Sequence, residues 1–176
     1  MIGFLRGKAL RLSPEAVLLD VGGVGYHVHI SLATYSELDN SGASGPLGLY
    51  IHTHAREGAI ELFGFWTERE RSLFERLIGV SGIGPRLARV ILSGMAPDDL
   101  IGAIAAGDSA RLTSIPGVGK KTAQRIVIDL KDRMPELGVD LEAIAGTEGE
   151  DDLLAALVNL GYRAKEAQAA VTRARR

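Results

Sequence analysis

Two stretches of this chain repeat each other. LIGVSGIGPRLARVIL, residues 77–92, lies over LTSIPGVGKKTAQRIV, residues 112–127, at an offset of 35. The overlay pairs Leu77 with Leu112, Gly82 with Gly117, Gly84 with Gly119, Ala88 with Ala123 and Ile91 with Ile126. Val80 and Ile115 match in kind, as do Ile83 and Val118, and Arg86 and Lys121. In the second copy a tight turn, Pro116 to Gly119, runs into TAQRIVIDL, where Ala123, Ile126, Val127 and Leu130 have the spacing of one helical face. The chain is therefore constrained to build two turn-plus-helix units of one shape.

Such a unit has a chemical use. The first N–H groups of a helix have no internal acceptor, and the aligned peptide dipoles leave partial positive charge there, so an anion fits well. A glycine lets backbone amides approach the anion closely, because no Cβ intervenes. Gly82, Gly84 and Arg86 in the first copy, and Gly117, Gly119, Lys120, Lys121 and Arg125 in the second, form two candidate phosphate grips. A single Gly-x-Gly before a helix reads equally well as plain punctuation. Duplication with basic residues favours a repeating polyanion, the phosphate backbone of nucleic acid. ATP binding at this loop is rejected: aligned on Gly119-Lys120, a Walker-type loop would find Ser114 in place of its first glycine and Lys121 in place of the magnesium-binding hydroxyl.

Composition sets the surroundings. In 176 residues there is no cysteine, which excludes a disulfide scaffold and thiolate metal sites. No apolar run approaches a membrane span, and Arg6, Lys8 and Arg11 interrupt any signal-peptide core, so a cytoplasmic protein is expected. Net charge is −2. Residues 65–136 carry eleven bases and nine acids, residues 1–64 four and six, residues 137–150 four acids and no base, and residues 151–176 five bases and three acids. The duplicated region is only modestly positive, so binding must depend on where the charges stand.

Residues 1–64 read as strands. AVLLDVGGVGYHVHI alternates on both sides of Gly22-Gly23, which is assigned to a strand bend or bulge; LGLYIHTHA alternates again, and EGA before IELFGF is a hairpin turn. Several short strands in so few residues imply a small closed barrel. Residues 65–136 read as helices. Thr67 with Glu70 makes a cap, Pro97 with Asp98 opens another helix, Gly107 ends it, Asp108 caps the next, and Pro135 stops the last. Residues 137–150, acidic and Gly-containing, read as a flexible linker. Residues 151–176 offer two amphipathic helices joined at Gly161-Tyr162. The fold class is thus α+β with several domains.

The paired GVSGIGPRLA and SIPGVGKKTA segments resemble the two helix-hairpin-helix motifs of a DNA-binding domain. Together with MIGFLRG, LLDVGGVGYHVHI and ELFGF, the chain from Met1 to about Arg173 resembles the RuvA family, the Holliday-junction-binding subunits of bacterial branch-migration machines. The resemblance implies an oligonucleotide-binding-type (OB) barrel over 1–64, a tandem helix-hairpin-helix domain over 65–136 and a small UBA-like helical unit over 151–176. It implies a homotetramer, or paired tetramers, holding a four-way DNA junction open for the RuvB motor, with the RuvC resolvase as a further partner. Leu157, Leu160 and Tyr162 would form the motor-facing patch, although packing between the two helices explains them equally well; the family's third helix is expected to be lacking. Arg56 and Glu57 fall at the family's acidic pin. There the pattern has two adjacent acids and this chain has Glu57 and Gly58, and a solvated turn is the plain alternative.

Other chemistry is weaker. His27/His29 and His52/His54 share strand faces, but no cysteine or acid cluster completes a ligand set, so they are read as strand-surface histidines and no metal or cofactor is expected. No catalytic constellation stands out, so the chain is read as non-catalytic. Two other classes stay open: a helix-hairpin-helix accessory domain of a repair nuclease or glycosylase, which requires a catalytic region, and a protein scaffold, which would bind no DNA. Replacing Lys120 and Lys121 together by Ala should make the log–log salt dependence of DNA affinity shallower by up to ~2 per protomer, read from titrations at several salt concentrations. An unchanged slope removes both lysines from the phosphate contact.

Overall fold

The computed structural model describes residues 1–41 and 45–133. Five alternating segments, β1 (Phe4–Ser13), β2 (Ala16–Val21), β3 (Val24–Ile30), β4 (Leu47–Arg56) and β5 (Ala59–Phe65), close into a barrel in the order β1-β2-β3-β5-β4. β4 pairs back to β1 and closes it. β3 and β5 run parallel, with Val28 opposite Leu62, and the other pairs are antiparallel. Every second residue turns inward: Val17, Leu19, Val28, Ile30, Leu49 and Ile51 are buried in one core.

Two features differ from the strand reading of residues 1–64. VGGVG is not a bend or bulge within one strand. Gly22 and Gly23 make a two-residue hairpin turn between β2 and β3, with φ of 63° and 87°, the positive values that a primed turn requires. Alternation looks the same along a bent strand and across a tight hairpin, so the pattern did not separate them. The register shift that does occur lies in β1, between Ala9 and Arg11. The second difference is a helix, α1 (Leu32–Asn40), inserted between β3 and β4. Ser31 caps it, its Oγ accepting from Thr34 N–H at 3.1 Å, and Leu38 plugs into the barrel core. Its buried stripe is only Thr34 and Leu38, too short to register as a helical period.

The helical half begins with α2 (Glu68–Ile78), where Thr67 and Glu70 form the expected reciprocal capping box. α3 (Pro85–Gly94) and α4 (Pro97–Ala106) follow, each with proline in the first turn. Gly107, at φ 79°, ends α4, and Asp108 caps the short α5 (Ser109–Leu112) by accepting from Arg111 N–H at 2.9 Å. α6 (Lys120–Leu130) starts two residues ahead of TAQRIVIDL and passes into a 3-10 turn, Lys131–Arg133. Pro135, the segment 137–150 and the segment 151–176 with Leu157, Leu160 and Tyr162 lie outside the described residues.

Barrel and helices meet on the C-terminal half of β5, residues 62–65, which is buried on both faces. Leu62 belongs to the barrel core, while Phe63 and Phe65 pack outward on Phe74 of α2, with ring centroids 5.2 and 4.9 Å apart. Polar ties surround this contact. Arg89 Nη1 of α3 donates to the carbonyls of Glu15 and Ile30 at 3.0 and 3.4 Å, and Leu32 N–H donates to Ser93 Oγ at 3.0 Å. Glu70 Oε2 accepts from Trp66 N–H at 2.9 Å and from the Thr34 hydroxyl of α1 at 3.3 Å. Burial pushes the Glu70 carboxyl above its ordinary value, against the hydrogen bonds from Thr67, Trp66 and Thr34, which lower it. The folded chain thus holds this proton more tightly than the unfolded chain. The associated stability is full below the unfolded value of 4.5 and is lost as pH rises through the folded one. Glu70→Gln keeps an acceptor without the charge. Its denaturant-measured stability should lack the decline that the unsubstituted chain shows as pH rises above that value.

Candidate nucleic-acid interface

The repeated sequence folds as repeated structure. Val80 N–H bonds to Leu77 O at 3.1 Å, Ile83 N–H to Val80 O at 3.0 Å and Ala88 N–H to Gly84 O at 3.0 Å. Thirty-five residues on, Ile115 bonds to Leu112 at 3.2 Å, Val118 to Ile115 at 3.0 Å and Ala123 to Gly119 at 2.9 Å. The matched apolar pairs from Leu77/Leu112 to Ile91/Ile126 are buried throughout. Gly82 and Gly117 hold the same left-handed backbone, φ 90° and 84°, which turns the chain into the following helix.

Gly84 and Gly119 do something different. They are the N-caps of α3 and α6 in ordinary extended conformations, φ −90° and −80°, and a Cβ built on either would meet nothing within 4 Å. Neither backbone strain nor packing requires glycine there. Side chains cap α1, α2 and α5, and α4 has Asp98 and Asp99 in its first turn. Among the described residues α3 and α6 have neither device: no side chain caps them and no acid stands in their first turns. The amides of Arg86 and Leu87, and of Lys120, Lys121 and Thr122, lie in the first turns of these helices, where no carbonyl stands one turn back to accept from them. Pro85 at the start of α3 lacks an N–H, so the second helix offers one more donor than the first.

Side chains add full charge. Arg86, Lys120 and Lys121 are exposed beside these termini. Arg125 is also exposed, but its Nη1 donates to Ser81 O at 2.8 Å, so it reaches from α6 into the first hairpin. In return, Leu87 of α3 lies where a Cβ on Gly117 would be 3.3 Å away. Each hairpin is braced by the other unit's helix, which holds the two N-termini at one separation. Among the sequence-predicted residues the structure therefore gathers Gly82, Gly84, Arg86, Gly117, Gly119, Lys120, Lys121 and Arg125 into one braced pair of hairpins.

Arg56 and Glu57 stand elsewhere, at the β4–β5 hairpin tip. Gly58 there has φ 75°, a left-handed conformation that an acidic residue would enter only with strain. Arg56 turns back along the hairpin to Glu61 on β5, Nη2 to Oε1 3.3 Å. The histidines make ring and polar contacts. His29 lies 5.4 Å from the Phe63 ring, His52 lies 5.3 Å from Phe74, and His52 Nδ1 is 3.1 Å from Glu75 Oε1. Partial burial, then repulsion from His27 and Arg89, holds His29 below its ordinary value, with Glu61 pulling the other way. Among the described residues no group of three or more His, Asp or Glu could hold a metal ion. Sequence reasoning missed Glu61, Arg89 and Ser93, whose contacts with Arg86, with the carbonyls of Glu15 and Ile30, and with Leu32 N–H join residues far apart in the chain and leave no local signal.

A barrel joined to two braced hairpin units with open helix N-termini defines the class: a tandem helix-hairpin-helix protein on an OB-type barrel. Comparison with known proteins agrees. Family models match as RuvA N terminal domain over residues 1–64, SAM-like helix-hairpin-helix tandem over 74–132 and RuvA, C-terminal domain over 149–176. The Holliday junction branch migration complex subunit RuvA of Citrifermentans bemidjiense is 49% identical over 97% of this chain and 88% of its own length. Those of Syntrophobacter fumaroxidans and Solibacter usitatus are 48% and 45% identical, each over 99% of this chain and 89% and 90% of their own lengths. The chain belongs to the RuvA family.

The N-cap glycines lead to a test. Gly119→Ser supplies the missing cap, so the thermal midpoint should hold or rise, while DNA affinity falls because the serine oxygen takes an amide that a phosphate would use. Gly117→Ala should instead cost stability, about 1–2 kcal/mol for an alanine forced left-handed.

Proposed function

We propose that this chain binds four-way junction DNA as the non-catalytic, DNA-holding subunit of a branch-migration complex in recombination and repair. The observation that carries the reading is the pair of matched helix N-termini, each with an uncapped glycine, no first-turn acid and adjacent exposed cations. Two such termini held at one separation suit successive phosphates of a backbone. Phosphate contacts convey no base identity, so selectivity must come from DNA shape.

A four-armed ligand is matched by a four-fold assembly, since weak grips on each arm combine into tight binding. In this reading four copies, or two such tetramers, hold the arms, and the β4–β5 hairpins with Arg56 and Glu57 stand at the crossover. Glu57 repels phosphates there, with Gly58 shaping the tip where the family has a second acid. The RuvB motor supplies ATP-driven movement through contact with Leu157, Leu160 and Tyr162, and the RuvC resolvase acts on the same junction. All of this takes place in the cytoplasm.

A gel-shift titration against a synthetic four-way junction and a linear duplex of equal length, at two salt concentrations, tests the core of the proposal. Preference for the junction, weakened by salt, is the expected result. Equal binding to both leaves a general backbone binder and overturns the junction reading.

A further inference from the structure

Glu61 occupies an unexpected place for an acid in a protein that grips phosphate. Its Oε1 lies 3.9 Å from Arg86 Nη2 at the start of α3 and 3.3 Å from Arg56 Nη2 at the hairpin tip. The carboxylate is the fixed member of the three: its side chain is 20% exposed, against 83% for Arg86 and 55% for Arg56. It lines a hollow of about 270 Å³ together with Glu15, His29, Phe63, Arg86 and Arg89, and Arg89 is already committed to two backbone carbonyls. Among the described cations at this hollow, Arg86 is the one both close to Glu61 and free to swing outward.

We propose that Glu61 is a resident competitor for Arg86, a carboxylate built into β5 that holds the guanidinium until a DNA phosphate displaces it. The inference rests on Arg86 being a phosphate ligand, as read above. Carboxylate and phosphate oxygens accept from the same guanidinium donors, so one can stand in for the other. The exchange is easy in this geometry. An ion pair at 3.9 Å on a largely exposed arginine is weak, whereas a phosphate at that place also gains the open amides of α3. Glu61 keeps its closer partner, Arg56, and is not left bare. Its charge nevertheless stays beside the bound phosphate, which weakens the first grip and speeds its release. A subunit that must let DNA slide past it needs grips that let go.

The opposite role, in which Glu61 orients Arg86 for binding, predicts the opposite sign. Glu61→Gln, Arg86→Gln and the double variant, compared with the unsubstituted chain, decide between them through junction and duplex affinity, dissociation rate and salt dependence. Glu61→Gln should bind about two- to fivefold tighter, dissociate more slowly and show a steeper salt dependence. Arg86→Gln should bind more weakly, and in its background the gain from Glu61→Gln should vanish. Unchanged or weaker binding by Glu61→Gln overturns the inference, as does a gain that persists in full without Arg86. If Arg86→Gln leaves affinity unchanged, the phosphate role of Arg86 falls and the inference with it; if it weakens binding while Glu61→Gln brings no gain, only the inference falls. Glu61→Asp, which keeps the charge on a shorter arm, should give a smaller gain and carries the test if the glutamine variant unfolds.

Discussion

The contact of Phe63 and Phe65 with Phe74 is what the rest of this arrangement depends on. β5 contributes Leu62 to the barrel core and the two phenylalanines to the helices, so one strand serves two cores at once. Fully burying one such side chain is worth roughly 1.5–3 kcal/mol and three rings share this contact, whereas a single hydrogen bond contributes about 0.5–1.5 kcal/mol net, or about 1.5–3 kcal/mol to a charged group. The aromatic contact therefore sets how α2 lies on the barrel, and the ties from Arg89, Ser93 and Glu70 refine an orientation already chosen. Because α2 leads directly into the first hairpin, the position of the uncapped helix N-termini relative to the β4–β5 hairpin follows from that packing.

Electrostatics at the grips works by omission as much as by addition. Most helices in the described residues begin with a side-chain cap or with acids in the first turn, either of which satisfies or neutralises the N-terminal donors. At α3 and α6 both are missing, and the glycines that stand there instead are required neither by strain nor by crowding. In this way a chain with net charge −2 leaves uncapped helix N-termini beside exposed cations. What matters is the local field over a few ångströms at two helix ends, since more distant surface charges are screened at physiological salt.

Much of this was legible in the sequence, because local chemistry wrote it. The two Gly-x-Gly turns, the Thr67/Glu70 capping box, Pro97, Gly107 and Asp108 each act over a few residues and appear where those residues predict. Strand alternation was enough for the barrel. It was not enough for the Gly22-Gly23 hairpin, which has the same alternation as a bent strand, or for α1, whose helical stripe is two residues long.

The sequence by itself determined which segments become turn-plus-helix units and which residues stand at their N-termini, because backbone conformation and capping are decided within one or two turns. Only the tertiary structure decided that Arg125 of one hairpin binds Ser81 of the other, that Leu87 packs over Gly117, and that Glu61 stands between Arg56 and Arg86. Those contacts join residues up to 44 positions apart. They exist because the buried aromatic contact on β5 and the shared core of the two hairpins bring distant segments together, and no local pattern encodes that proximity.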